Sequence, residues 1–207
     1  MTIPPSEITA VILAGGLARR MSGIDKGLQG INGQPMVQHV LQRLQPQVGK
    51  VLINANRHLD EYQRFGVPVC SDVISGYAGP LAGIHAALIQ TESPYLVSVP
   101  CDSPLIPLDL VSRLALAISE KQADAAVVVT GNELQRQRHP VFLLLKSELR
   151  RSLEQYLESG RRKVDDWLES IPCAEVAFDD ELAFTNVNTT EDIQALTKMT
   201  GSWPAPG

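Results

Sequence analysis

Residues Thr9-Ala-Val-Ile-Leu-Ala14 form an unbroken apolar, β-branched run that stops at Gly15–Gly16. A strand with one face in water alternates polar and apolar residues; this one does not, so burial on both faces is expected. Strands of that kind belong to parallel sheets sandwiched between helices. The rest of the chain alternates as such a sheet requires. Met36, Val37, Val40, Leu41 and Leu44 recur at helical spacing after Pro35, and Pro46 and Gly49 close the segment before an apolar strand at Lys50-Val-Leu-Ile-Asn54. Gly79-Pro80 opens a second helix, with the proline suited to its first turn and Leu81, Ile84, Ala87 and Leu88 forming its apolar face. Strands are expected at 94–100, 123–129 and 139–145, helices at 109–118, 149–157, 164–168 and 191–196, and extended chain at 174–178. The fold class that follows is α/β: a three-layer αβα, Rossmann-like domain with a mainly parallel, mixed sheet over residues 8–198, flanked by flexible termini at 1–7 and 199–207.

With 207 residues, 44% of them hydrophobic, the chain suffices for one sizeable core. Its net charge of -5 gives no general attraction for a nucleic-acid backbone or an anionic membrane, so any phosphate partner must be held by local clusters such as Arg19–Arg20 and Arg161–Arg162–Lys163. Cys70, Cys101 and Cys173 are odd in number and widely spaced, which argues against a disulfide framework or a zinc site. The run from Ile8 to Ala14 lacks a basic segment before it and is too short to span a bilayer. A soluble, cytoplasmic protein with reduced thiols is the expectation.

The chemistry concentrates where strands end, as it does in open α/β sheets. Leu13-Ala-Gly-Gly-Leu-Ala-Arg-Arg-Met-Ser-Gly-Ile-Asp-Lys26 combines glycines, which let a phosphate approach the backbone, with Arg and Lys to balance its charge. It lacks the G-K-[ST] ending of a Walker A loop and the G-x-G-x-x-G of a dinucleotide site, and Asn54 stands where a dinucleotide fold carries an acid. Asp102 follows the strand ending at Val99-Pro100 and offers a hard oxygen ligand for Mg²⁺; alone it reads as a turn residue before Ser-Pro, and the glycine loop favours the metal. Cys101 beside it has no local histidine or charged partner and reads as a small buried residue. Asp72 suits either a base- or ribose-binding carboxylate or a turn cap. None of His39, His58, His85 and His139 shows metal-ligand spacing, and no catalytic role is assigned to them.

In order along the chain, the glycine loop through Lys26-Gly27, Asn54-Ala-Asn-Arg57, Gly79-Pro-Leu-Ala-Gly83, Pro100-Cys-Asp102 and Asn186-Val-Asn-Thr189 closely resemble the molybdenum cofactor guanylyltransferases. The resemblance implies a nucleotidyltransferase fold, with GTP contacts from Leu13, Ala14, Gly15, Lys26, Asn54, Asp72 and Asp102, and Mg²⁺ on Asp102. It implies catalytic roles for Lys26, Arg20 and Asp102, and triphosphate- or pterin-facing positions for Arg20, Gly23, Gly79, Gly83, Asn186 and Asn188. Related cytidylyltransferases read Ala-Ala-Gly where this chain has Ala14-Gly15-Gly16, a difference that favours guanine. The implied substrates are GTP and molybdopterin, and the implied partners are molybdenum-insertion proteins and molybdoenzyme chaperones, with no nucleic acid or membrane. A cytidylyltransferase, a sugar-phosphate nucleotidyltransferase and a non-catalytic nucleotide-binding module are the alternatives.

Overall fold

The computed structural model describes residues 2–16, 25–74, 79–132 and 135–199. The chain runs through a 3-10 turn at Pro5–Glu7, β1 (Ile8–Leu13), the hairpin strands β2 (Gly30–Ile31) and β3 (Gln34–Pro35), α1 (Met36–Leu44), β4 (Lys50–Asn54), α2 (Leu59–Gln63), β5 (Val69–Cys70) and α3 (Pro80–Gln90). It continues with β6 (Tyr95–Pro100), α4 (Leu110–Lys121), β7 (Ala125–Thr130), β8 (Gln137–Lys146), α5 (Arg150–Glu158), α6 (Val164–Leu168), β9 (Cys173–Ala177) and α7 (Thr190–Met199).

Seven strands form one sheet in the order β5-β4-β1-β6-β8-β7-β9. All neighbours pair parallel except β8, which runs antiparallel to both β6 and β7. The reason is chain length. Only residues 131–136 separate β7 from β8, too few for the crossover that a parallel pair requires. Pro140 adds an irregularity, since it has no N–H to donate to a ladder. Val127 pairs with Leu143 but Val128 with His139, so Pro140, Val141 and Phe142 bulge out between the two registers.

The doubly buried reading of β1 holds in detail. Ala10 and Ile12 join the core on the side of α1 and α4, while Val11 packs on the opposite side with Leu52, Leu81 and Leu96. In β7 the same division sets Ala126 and Val128 against Ala125 and Val127. Helices α3, α5 and α6 cover this second face, with Trp167 fully buried among them. A third, small cluster of Ile31, Met36 and Val187 seats α7 against the hairpin through Ile193 and Leu196. Among the described residues, no helix is long and apolar enough to cross a membrane.

The helices and strands expected from periodicity are present with ends displaced by at most three residues. The β2–β3 hairpin and α2 are additions, each too short to show a period in sequence.

His85 lies in α3 at 2% exposure, and neither ring nitrogen has a hydrogen-bond partner among the described residues. Burial pushes its pKa below the ordinary value of 6.5, against the pull of Glu154 and Glu158 and with the help of Arg150, all on or beside α5. An unfolded chain therefore takes up a proton near pH 6.5 that the folded chain refuses, and stability falls as pH drops through that value. Urea unfolding between pH 8 and pH 5 is expected to show this loss in the parent and a smaller loss in His85→Leu; parallel pH profiles would contradict it.

Candidate active site

Parallel register carries the strand ends to one level. Leu13 is opposite Asn54 on one side and Pro100 on the other. Beyond the strands the ladders continue, Ala14 N–H donating to Asn54 O at 2.8 Å, Cys101 N–H to Leu13 O at 3.1 Å and Ala55 N–H to Cys70 O at 2.9 Å. Over these ends opens a cleft of ≈ 340 Å³ lined by Leu13, Gly15, Gly16, Asn54, Asp72, Gly79, Pro80, Pro100, Asp102, Val141 and Asn186. Seven of the residues expected at a site from sequence, Leu13, Gly15, Asn54, Asp72, Gly79, Asp102 and Asn186, thus meet in one hollow.

One wall is a single carboxylate closely braced by amides. Asn54, 2% exposed, donates from Nδ2 to Asp72 Oδ1 at 3.0 Å, and Asn56 donates to Asp72 Oδ2 at 2.8 Å. The Asp72 N–H donates in turn to Asn56 Oδ1 at 2.9 Å, so the carboxylate is held by two amides in one orientation. Glycine is needed on both sides of this brace. A Cβ on Gly83 would lie 2.3 Å from Asn54 Oδ1 and 2.7 Å from Leu13 Cδ2, and one on Gly15 would lie 2.8 Å from Asn56 Nδ2. Gly83 therefore sits buried in α3 against Asn54, whereas Gly79 lines the cleft and caps α3 at φ +73.

The other wall is charged. Lys26 Nζ donates to Asp102 Oδ2 at 3.2 Å and also to Asn188 Oδ1. Burial raises the Asp102 pKa, and the Lys26 ammonium opposes that shift by favouring the carboxylate. Asn188 reaches this position because its segment is pinned: Val187 N–H donates to Asp102 O at 2.8 Å and Ser103 Oγ to Asn186 Oδ1 at 2.9 Å. Asp192 accepts from the backbone N–H groups of Asn188 and Thr189 while Thr189 Oγ1 accepts from Asp192 N–H, a capping arrangement at the start of α7. Lys26, Arg57 and Asp102 also border a smaller hollow of ≈ 130 Å³ beside Leu13 and Ala14.

Among the described residues, no three His, Cys, Asp or Glu side chains group as a metal cage. The donor set nevertheless suits a hard cation, since Asp102 and Asn188, from distant elements, already turn two oxygens toward a single positive group. Cys101 is 7% exposed and burial pushes its thiol well above 9.0, in keeping with a small buried residue. All three cysteines are free.

A second hollow of ≈ 510 Å³ shares Pro100, Val141 and Asn186 with the first and extends past Thr130, Arg138, His139, Glu181, Phe184 and Asn188. His139 lines it because of the β8 bulge. Its Nε2 is 2.8 Å from Thr130 Oγ1 and its ring lies 5.5 Å from that of Phe184. Sequence gave no reason to single out His139, Asn56 or Ser103; only the Asn54-Ala-Asn56 spacing, which puts both amides at one strand end, pointed toward Asn56. Arg20 and Gly23 lie outside the described residues.

A glycine turn after the first of several parallel strands, a carboxylate braced by amides and a lysine–aspartate pair across one cleft define a nucleotide-handling α/β domain. A family profile described as "MobA-like NTP transferase domain" matches residues 10–174. The molybdenum cofactor guanylyltransferase of Ralstonia nicotianae is 51% identical over 199 residues, covering 94% of this chain and 98% of the relative. That of Bordetella petrii is 49% identical over 194 residues, covering 94% and 99%. The crystal structure of molybdopterin-guanine dinucleotide biosynthesis protein A from Archaeoglobus fulgidus superposes with a TM-score of 0.75 at 22% identity, over 94% of this chain and 98% of that one. The chain belongs to the molybdenum cofactor guanylyltransferase family.

Gly83→Ala is expected to push Asn54 off Asp72 and to destabilise the fold by about 1–3 kcal/mol, the usual cost of overpacking. Gly16→Ala, with nothing within 4 Å of its Cβ, should leave stability unchanged. Chemical denaturation of both variants checks the pair, and equal midpoints would refute the close contact.

Proposed function

We propose that this protein transfers GMP from GTP to the terminal phosphate of molybdopterin, releasing pyrophosphate and forming the guanine dinucleotide form of the cofactor. The observation that carries the reading is the convergence of Lys26, Asp102 and Asn188 beside the Asn54–Asn56–Asp72 brace, in a chain about half identical to named guanylyltransferases.

The nucleophile is a phosphate, already anionic at neutral pH, so the reaction needs alignment and charge neutralisation rather than a general base. In-line attack on the α-phosphorus of GTP forms the new phosphate–phosphate bridge and breaks the bond to the leaving pyrophosphate. Lys26 meets the negative charge that collects on the triphosphate; a unit pair at 4 Å is worth about 4 kcal/mol at an effective dielectric near 20. Arg20 is assigned the same task and Gly23 a place near it. Asp102 would hold Mg²⁺, which would supply further charge neutralisation when bound. Backbone groups of Leu13, Ala14 and Gly15, with Asn54 and Asp72, take the nucleoside. The fixed Asp72 carboxylate suits the N1–H and amine of guanine, two donors that adenine and cytosine do not present together. Asn186 and Asn188 face the acceptor, which is assigned to the second hollow, and Gly79 is assigned to it from the adjoining first cleft; Gly83 serves it indirectly, by letting α3 close on Asn54. Three free thiols fit a reducing, cytoplasmic setting, where molybdenum-insertion proteins and molybdoenzyme chaperones are the proposed partners.

The test is incubation with molybdopterin, MgCl₂ and each nucleoside triphosphate, followed by mass analysis. The guanine dinucleotide product is expected, and its absence with every triphosphate would overturn the transferase reading. In steady-state kinetics kcat/KM should be highest for GTP, because a site built for the guanine edge leaves polar groups unpaired around other bases. Equal or higher kcat/KM with CTP would move the assignment to the cytidylyltransferases.

Lys26→Ala is expected to lower turnover by at least about 100-fold with the fold intact, the scale set by losing one charge-stabilising donor. Asp102→Asn keeps the shape but removes the anionic ligand, so the Mg²⁺ dependence of activity should shift or vanish. An unchanged magnesium titration would point to another carboxylate.

A further inference from the structure

Lys26 begins a 3-10 turn of only three residues, Lys26–Leu28, preceded by Asp25. The turn is held by a contact from α2. Asp25 caps the turn, its Oδ1 accepting from Gly27 N–H at 3.1 Å. The same oxygen accepts from the hydroxyl of Tyr62 at 2.6 Å. Tyr62 belongs to α2, 36 positions further along the chain than Lys26, and is fully buried.

The contact is largely buried, with Asp25 bordering the smaller hollow. Asp25 is 9% exposed. A Cβ on Gly27 would meet the Tyr62 hydroxyl oxygen at 2.5 Å and Cys101 Sγ at 3.2 Å, so Gly27 is clamped between the two. The Tyr62 ring is wedged against Phe65 at a centroid distance of 6.2 Å. Burial, together with Cys101 and Asp25, pushes the Tyr62 pKa upward, which keeps the hydroxyl a proton donor. A buried carboxylate with a charge-assisted partner of this kind fixes geometry tightly, because losing the partner leaves the buried oxygen with only its Gly27 N–H bond.

We propose that Tyr62 is a positioning residue for the transfer reaction: through Asp25 and Gly27 it sets the place of the Lys26 ammonium opposite Asp102 and Asn188. The inference rests on Lys26 meeting the triphosphate. Tyr62 touches neither substrate nor metal in this account, and it acts only by way of Lys26. The path from α2 to the charged wall of the cleft is four residues long: Tyr62, Asp25, Gly27 and Lys26.

A double-mutant cycle separates positioning from a general contribution to the fold. The parent, Tyr62→Phe, Lys26→Ala and the double variant are compared in kcat/KM for GTP and, by calorimetry, in the Kd for GTP with Mg²⁺. Tyr62→Phe is expected to lower kcat/KM about tenfold when Lys26 is present, and less than about twofold when it is not, since contacting residues couple on this scale. The Kd should weaken in the same pattern. If the parent binds GTP but forms no product, the transferase reading fails, and the cycle is then read in Kd alone. Gly27→Ala, which drives a methyl against the Tyr62 hydroxyl without removing a bond, is the second variant, and the same dependence on Lys26 is expected. Thermal unfolding identifies any variant that has not folded, and the other then decides. Equal losses with and without Lys26, or no loss from a folded Tyr62→Phe, overturn the proposal.

Discussion

The two parallel ladders on β1 bring Leu13, Asn54 and Pro100 abreast, and the polar residues just beyond them inherit that alignment. Ala14 is still tied to Asn54 and Cys101 to Leu13, so Gly15, Asn56 and Asp102 leave the sheet from fixed points. The ladders themselves depend on apolar cover from both faces, which is why the β1 segment can contain no polar alternation. A register slip of one residue would turn Ala10 and Ile12 toward α3 and Val11 toward α1, reversing both cores at once. The site is therefore anchored in the most thoroughly buried part of the molecule although its own residues face a cleft.

Within that frame the two walls differ in kind. The Asn54–Asn56–Asp72 wall is made of groups that satisfy one another and need no ligand to hold their shape. The Lys26–Asp102–Asn188 wall is a charge arrangement, whose members are drawn from the first loop, the end of β6 and the segment before α7. A preformed wall braced by amides suits recognition, and an exchangeable ion pair suits phosphate transfer, where the counter-charge must move from carboxylate to phosphate. The opposed influences on Asp102, burial against a neighbouring ammonium, belong to that balance.

Much of this was legible in the sequence for simple reasons. A doubly buried strand, helices with a regular apolar face and glycine turns at strand ends all leave patterns within a dozen residues. Asp102 could be named because it falls just past such a strand and Lys26 because it closes the glycine-rich loop, whereas the roles of Asn54 and Asp72 rested on the family resemblance. Other parts depend on pairings across long chain separations that no local pattern records. The Tyr62–Asp25 bond spans 37 positions, and α2 is too short at five residues to complete two turns. Asn56 reads as a loop residue until Asp72 is folded against it. His139 enters the second hollow only because Pro140 disrupts the ladder, an effect that sequence marks by the proline but cannot aim.

The reversed strand β8 has a consequence for how the molecule can vary. Its first residues, rather than its last, stand at the edge where the parallel strands end, with Gln137 opposite Thr130. Both line the second hollow, and neither touches the register of β1 with β4. The shape of one half of the cleft is thus set by a two-stranded tip, while the other half is set by the central ladders. A change in the length or composition of that tip would reshape the second hollow while leaving the ladders beneath the first unchanged. The antiparallel strand lets the two hollows take their shapes from separate parts of the sheet.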